Sequence, residues 1–190
     1  MTRDPSPTGR PEWPEDILAK SRDITLLALD VDGVMTDGAL IFSASGDELK
    51  AFNILDGLGL KQAMAAGIEV AVITGRRSPL TERRMTSLGI TTLLQGREDK
   101  LTALREIMTE RQLPPARVAY IGDDLPDLAA IRHAGLGVTV PNGHWFVRQH
   151  ADLCTRTAGG HGAVRELTDL LLSARGRLDQ ELQTWLGGEQ

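Results

Sequence analysis

Two acidic residues end the first apolar run of this 190-residue chain. The segment "ITLLALDVDG" places Asp30 and Asp32 directly after a stretch of β-forming residues. A carboxylate attacks phosphorus only when its repulsion from the phosphate dianion is cancelled, and carboxylates that hold Mg²⁺ supply that cancellation. A second acid can protonate the leaving alkoxide and then deprotonate the attacking water. The pair therefore predicts phosphoryl transfer through an aspartyl phosphate, with Asp30 as nucleophile and Asp32 as acid/base.

Other apolar runs end in residues that suit the same chemistry. In an open α/β sheet, ligands bind at the carboxyl ends of the strands, so residues that follow different strands meet there. These further candidates are acids, cations, a glycine and a hydroxyl: Thr74, Gly75, Arg76, Lys100, Asp123, Asp124 and Asp127. Lys100 would add positive charge, and the Thr74 hydroxyl would bind phosphate oxygens.

Alternating strands and helices must position these side chains. Short apolar runs predict strands over residues 24–29, 68–74, 91–94, 117–122 and 136–140. Helical spacing of apolar residues separates several of them, and each strand is apolar on both faces. This pattern predicts an α/β fold with a Rossmann-like parallel sheet flanked by helices.

One segment, residues 38–54, breaks the alternation. It has two β-like arms around the turn-rich "SASGDE", which predicts a β-hairpin that projects after the two acids. The hairpin could be a flap over the site, and an ordinary surface hairpin is the alternative.

Composition limits the kinds of partner and the cellular compartment that we expect for this protein. The chain has 41% hydrophobic and 25% charged residues with a formal net charge of -5, which argues against nucleic acid or an anionic membrane as partner. No apolar run approaches the roughly 18 residues of a membrane span. The single cysteine excludes an internal disulfide, so we expect a cytoplasmic protein.

The domain organisation follows from length and from proline content. A chain of this size makes one domain with one core. Four prolines among the first 14 residues predict a flexible N-terminal arm over residues 1–23. We expect the catalytic domain over residues 24–179, followed by a C-terminal tail over residues 180–190.

Four motifs carry a resemblance to a known family. The segments "DVDGVMTDG", "VITGR", "QGREDKL" and "GDDLPD" resemble, in order and spacing, motifs one to four of the haloacid dehalogenase (HAD) superfamily phosphatases. The segments "ELKAFNILDGLGLK" and "TAGGHGAVRELTDLLLSARGRLD" further resemble the 3-deoxy-D-manno-octulosonate (KDO) 8-phosphate phosphatases. The resemblance covers roughly residues 24–179. It implies a HAD-like fold and Mg²⁺-dependent hydrolysis of that sugar-acid phosphate, a phosphomonoesterase step in lipopolysaccharide precursor biosynthesis.

The resemblance also implies a role for each candidate. Asp30, Asp123 and the backbone carbonyl of Asp32 would hold Mg²⁺, and Thr74 and Lys100 would hold the phosphoryl group. Asp124 and Asp127 would orient water at the metal or the loop itself. The implied substrate contacts are Asp32, Asn53, Asp56, Gly57, Lys61, Gly75, Arg76, Arg84 and Lys100. Cations among them suit a substrate that carries a carboxylate as well as a phosphate.

The chain has no room for the inserted cap domain of larger superfamily members. The resemblance therefore implies a capless homotetramer, in which flap hairpins assemble around the centre and a neighbour's "AGGHGAVRE" segment helps to close the pocket. Gly159, Gly160 and Gly162 fit a mobile segment, with a helix cap or plain turn as the alternative. Leu55 and His161 stand where relatives can carry arginine.

Two other functions compete with this interpretation. One is hydrolysis of another sugar-acid phosphate, such as a nonulosonate 9-phosphate. The other is a signalling receiver domain, which also combines acids with a phosphorylatable aspartate, a threonine and a lysine. A receiver has no acid two residues after its acceptor aspartate. A nucleotide-binding dehydrogenase is excluded because no G-x-G-x-x-G follows the first strand.

Overall fold

The computed structural model describes residues 11–187, which form a parallel sheet between helices and a separate hairpin. The strands are β1 (Leu26–Leu29), β2 (Ile41–Phe42), β3 (Glu48–Leu49), β4 (Glu69–Thr74), β5 (Thr92–Gln95), β6 (Val118–Ile121), β7 (Leu136–Thr139) and β8 (Leu153–Cys154). The helices are α1 (Glu15–Ser21), α2 (Ile54–Ala65), α3 (Pro79–Leu88), α4 (Lys100–Glu110), α5 (Leu125–His133), α6 (Trp145–His150), α7 (Ala163–Ala174) and α8 (Leu178–Gly187). The predicted α/β fold is confirmed.

Strand β1 lies at the centre of the six-stranded sheet, whose order is β5-β4-β1-β6-β7-β8. Its last residue, Leu29, pairs in parallel with Val72 of β4 and Ile121 of β6. All three strands therefore end at one edge of the sheet. The segments that follow them begin with the residues that the sequence marks for chemistry.

Both faces of the sheet are buried. Leu27 and Leu29 pack in the larger core cluster with residues of α1, α2, α3 and α7. Leu26 and Ala28 point to the opposite face, where they pack with residues of α4, α5 and α6. Two-sided burial explains why the strands are apolar runs rather than alternating patterns.

The predicted hairpin is present, with strands shorter than its segment. Antiparallel β2 and β3 pair Ile41 with Leu49 and Phe42 with Glu48, apart from the main sheet. Its apolar residues are exposed, so the hairpin carries a hydrophobic surface outside the core.

The N-terminal segment differs from the expectation of an arm over residues 1–23. Residues 15–21 form α1, which packs on α7 and buries Ile17. Pro14 precedes a first turn that contains Glu15 and Asp16, and acids there stabilise the positive end of the helix dipole. Residues 1–10 of the expected arm lie outside the described residues.

The expected tail over residues 180–190 is helical as far as Gly187, as part of α8. No helix between residues 11 and 187 is long and apolar enough to cross a membrane.

Candidate active site

Three carboxylates meet at the edge of the sheet where β1 and β6 end. Asp30, Asp123 and Asp127 each offer an oxygen within 4.8 Å of the others. Burial, and then the charge of Asp127, raise the pKa of Asp30 to about 7. Burial and the charges of Asp127 and Asp30 raise the pKa of Asp123 to about 7 as well. Burial, together with repulsion between neighbouring carboxylates, therefore disfavours the charged forms of Asp30 and Asp123.

Lys100 is the cation of this cluster. Its Nζ lies 2.7 Å from Asp30 Oδ2 and donates a 2.7 Å hydrogen bond to Asp127 Oδ1. Burial opposes its charge, but the charges of Asp30 and Asp127 outweigh burial, so the pKa of Lys100 lies above its ordinary value. Lys100 is the first residue of α4, so the loop after β5 delivers it to the cluster as a fixed positive charge.

Asp127 organises the loop that follows β6. Its Oδ1 also accepts a 2.8 Å hydrogen bond from the Tyr120 hydroxyl. Its Oδ2 accepts backbone N–H groups of Asp123 and Asp124, each at 3.2 Å. Asp127 is fully buried and forms a capping box with Asp124 at the start of α5. These bonds fix the position of the segment that carries Asp123.

Gly33 allows the loop after β1 to cross the cluster. Its φ is +90°, and a Cβ at this position would lie 2.0 Å from Asp123 Oδ2. Only glycine accommodates both the left-handed backbone and this close approach. The "DVDG" glycine is therefore required by the geometry of the site.

The glycine-rich segment packs against the same loop of its own chain. Gly160 donates its N–H to Val34 O at 2.9 Å, and a Cβ at Gly159 would lie 1.8 Å from Gly33 O. Asn142 bridges the two segments, since it donates to Gly33 O at 3.0 Å and accepts from Gly159 N–H at 2.7 Å. Close backbone packing accounts for Gly159 and Gly160, and Gly162 is the N-cap of α7 with φ +112°, which is the predicted alternative of a helix cap.

Asp32 lies in an ion-pair group apart from the carboxylate cluster. Lys50 contacts Asp32 Oδ1, and Arg76 Nε lies 3.7 Å from Asp32 Oδ2. Glu48 joins both cations, with Oε1 2.8 Å from Arg76 Nη2 and 3.7 Å from Lys50 Nζ. The base of the hairpin thus reaches the predicted acid/base.

Three further residues predicted to contact the substrate lie at the end of β4, directly after it, or on α2. Thr74 is buried at the end of β4, and its Oγ1 accepts the Arg76 N–H at 3.4 Å. At Gly75 a Cβ would make only an ordinary 3.6 Å contact with Glu98, so packing does not require glycine there. Lys61 is exposed on α2.

The loop before α2 is supported by Arg84. The Asn53 side chain caps α2 by accepting the Leu55 N–H at 2.8 Å, and Arg84 Nη2 donates to Asn53 O at 3.2 Å. A Cβ at Gly57 would lie 2.3 Å from Arg84 Nη2, so the glycine makes room for the guanidinium. Arg84 therefore stabilises the conformation of this loop.

Asp56 faces α7 rather than the carboxylate cluster. Its side chain is buried, and Oδ1 accepts the Arg165 N–H at 2.8 Å. Burial raises the pKa of Asp56 to about 6, and the backbone hydrogen bonds from α7 only partly oppose that effect. The contact ties α2 to the start of α7.

Sequence reasoning missed four residues that organise the site. Tyr120 and Asn142 brace its backbone, and Lys50 and Glu48 link the hairpin to Asp32. Only Tyr120 could have been found from the sequence, because the hydroxyl of a tyrosine in a fully buried strand needs a hydrogen-bond partner. The missed residues are Glu48, Lys50, Tyr120 and Asn142.

The donor set fits a magnesium ion. Asp30 Oδ1 is buried and has no hydrogen-bond partner among the described residues. An uncompensated buried carboxylate oxygen beside two further carboxylates is the arrangement that a divalent cation stabilises, and oxygen donors are those that Mg²⁺ prefers.

Known proteins resemble this chain in sequence and in fold. The family model for haloacid dehalogenase-like hydrolases matches residues 89–167. The chain is 48% identical over 165 residues to 3-deoxy-D-manno-octulosonate 8-phosphate phosphatase KdsC of Escherichia coli K12, across 87% of this chain and 88% of the relative.

Two solved structures extend the comparison. The KDO 8-phosphate phosphatase of Moraxella catarrhalis, in complex with magnesium, phosphate and KDO, is 45% identical with a TM-score of 0.88, across 90% of this chain and 98% of that one. The cobalt-bound enzyme of Haemophilus influenzae is 39% identical with a TM-score of 0.84, across 88% and 99% of the two chains.

Proposed function

Because this chain belongs to the KDO 8-phosphate phosphatases of the haloacid dehalogenase-like hydrolases, we propose that it hydrolyses KDO 8-phosphate to KDO and inorganic phosphate. The observation that carries the proposal is the cluster of buried Asp30 and Asp127 and half-buried Asp123, with Lys100, at the carboxyl edge of the sheet. The reaction is a step of lipopolysaccharide precursor biosynthesis, and we place it in the cytoplasm.

In the first half of the reaction Asp30 is the nucleophile. Its carboxylate attacks phosphorus, the bond from phosphorus to the C8 oxygen of the sugar breaks, and Asp32 gives that oxygen a proton. Lys100 and the Thr74 hydroxyl hold phosphoryl oxygens as negative charge shifts between them. Mg²⁺, held by Asp30, Asp123 and the backbone carbonyl of Asp32, would supply charge neutralisation.

In the second half the phosphoenzyme is hydrolysed. Asp32, now a carboxylate, takes a proton from a water molecule as that water attacks phosphorus, and the bond to Asp30 breaks. Inorganic phosphate leaves, and both aspartates return to their starting protonation states. Arg76 and Lys61 contribute positive charge for the substrate carboxylate.

The exposed hairpin supports a homotetramer. Ile41, Phe42 and Leu49 expose 47%, 58% and 55% of their surfaces in the isolated chain. Exposed apolar side chains gathered on one hairpin are typical of a protein interface. Assembly through the hairpins would bury it and shield the open site in the absence of a cap domain.

The test is phosphate release from KDO 8-phosphate and from a nonulosonate 9-phosphate, with Mg²⁺ and with EDTA. We expect faster turnover of the eight-carbon substrate, and loss of turnover with EDTA or in Asp30→Asn. Asp23→Asn is the matched control, because Asp23 is exposed beside the opposite end of β1. Preference for the nine-carbon substrate would contradict the substrate assignment, and an active Asp30→Asn enzyme would contradict the mechanism.

A further inference from the structure

The ion-pair group around Asp32 contains a cation that the proposed chemistry does not use. Lys50 follows β3 at the base of the hairpin, and only 3% of its side chain is exposed. Its Nζ contacts Asp32 Oδ1. A lysine gives up much hydration to lie there, so its contact with Asp32 offsets a real cost.

The contact divides the two oxygens of Asp32 between different environments. Oδ1 is bound by Lys50, whereas the nearest cation to Oδ2 is Arg76 Nε at 3.7 Å, which is beyond hydrogen-bond range. An acid/base must present one oxygen to the leaving group and then to water, without rotating between the steps. Fixing Oδ1 leaves Oδ2 as the oxygen that can exchange a proton.

Glu48 ties this arrangement to the hairpin. Burial alone would raise the pKa of Glu48. The hydrogen bond from Arg76 and the charge of Lys50 outweigh burial and hold that pKa below its ordinary value. Glu48 is therefore an anion between two cations, 2.8 Å from Arg76 and 3.7 Å from Lys50. A shift of β3 would move Lys50 and Glu48 together, and with them the partner of Asp32 Oδ1.

We propose that Lys50 is a positioning residue for Asp32, through which the base of the hairpin sets the orientation of the acid/base carboxylate. The inference rests on the proposed function, because it assigns Lys50 a part in that reaction. Lys50 lies outside the predicted site, and the proposal gives the hairpin a second function besides covering the substrate.

The experiment compares Lys50→Met and Lys50→Arg on two substrates. With KDO 8-phosphate both half-reactions need Asp32, so we expect kcat of Lys50→Met to fall about tenfold to a hundredfold, a part of what general acid/base catalysis contributes, with KM within about twofold. Lys50→Arg, which keeps the charge, should retain more of kcat than Lys50→Met.

With p-nitrophenyl phosphate the leaving phenolate departs without a proton, so only the second half-reaction needs Asp32. In rapid-mixing experiments Lys50→Met should therefore release close to one nitrophenolate per active site in a burst, followed by slow turnover. A merely structural lysine would slow both phases together.

Lys20→Met is the matched control, since it removes a Lys–Asp ion pair on the surface, where Lys20 Nζ lies 2.5 Å from Asp152 Oδ1. We expect wild-type kinetics from it. Circular dichroism checks the fold of each variant, and if Lys50→Met does not fold, Glu48→Gln is the second probe, with a smaller fall in kcat expected.

A folded Lys50→Met enzyme with kcat within twofold of wild type, a loss confined to KM, or the absence of a burst would each overturn the proposal. For the second probe, an unchanged kcat in Glu48→Gln would do so. An inactive wild type would remove the proposed function and this inference with it. An active wild type with an equally active Lys50→Met removes this inference alone.

Discussion

At the residue scale, the charges of the carboxylate cluster explain its need for a metal. Asp30, Asp123 and Asp127 present three carboxylates to the single ammonium of Lys100, which leaves two negative charges when all are ionised. A divalent cation balances that excess. The same excess contributes to the raised pKa values of Asp30 and Asp123.

Mg²⁺ should therefore stabilise the folded protein. A ligand at about a hundred times its Kd adds about 2.7 kcal/mol to the free energy of unfolding, which raises Tm. We expect thermal unfolding with increasing MgCl₂ to show this rise in the wild type and in Asp23→Asn, and a much smaller rise in Asp123→Asn. An equal rise in Asp123→Asn would contradict the assignment of Asp123 as a ligand.

Tyr120→Phe should lower stability without removing the carboxylate cluster. The variant loses one buried hydrogen bond to Asp127, worth about 1 kcal/mol, which corresponds to a Tm lower by about 2–4 °C in a chain of this size. Asp127 keeps its bonds to Lys100 and to two backbone N–H groups. Calorimetry measures the shift, and an unchanged Tm would show that the hydroxyl contributes nothing.

At the element scale, Asp56 makes the packing of α2 on α7 sensitive to pH. Because burial raises its pKa from 3.8 to about 6, the folded state favours the protonated carboxyl. Its contribution to stability is fully present below about pH 4 and is lost as pH rises through 6. The shift corresponds to at most about 3 kcal/mol.

Asp56→Asn should flatten this pH dependence. The amide keeps an oxygen for the Arg165 N–H but does not titrate. We expect the unfolding free energy of the variant, from urea titrations, to fall less than that of the wild type between about pH 4 and 7. Parallel profiles for the two proteins would contradict the role of Asp56, since their other titrating groups are shared.

The sequence predicted the elements that follow the strand-end rule and missed contacts made across the fold. Asp30, Lys100 and Asp123 could be placed together because parallel strands end at one edge. Lys50 could not, because its contact with Asp32 depends on how the hairpin folds back on the sheet. Helix α1 was missed because the prolines before it dominate the local composition.

At the scale of the whole molecule, the proposed homotetramer depends on the hairpin surface. Phe42→Glu places a charge on the most exposed apolar residue of β2 and β3, and charges disfavour a desolvated apolar interface. We expect sedimentation to show tetramers for the wild type and smaller species for Phe42→Glu. Ser45→Glu, at the exposed turn of the same hairpin, is the control that should remain tetrameric. A wild-type monomer would contradict the prediction.

The central place of β1 in the sheet also has a consequence for synthesis of the protein on the ribosome. Strand β1 emerges first and stays unpaired at first, because β4 and then β6 must be synthesised before both of its edges are paired. Until then a nascent chain carries an unpaired apolar strand that can associate with other chains. Asp30 is made early, but it gains Asp123 only when β6 has formed. Premature termination before that point therefore yields an aggregation-prone fragment with no catalytic centre.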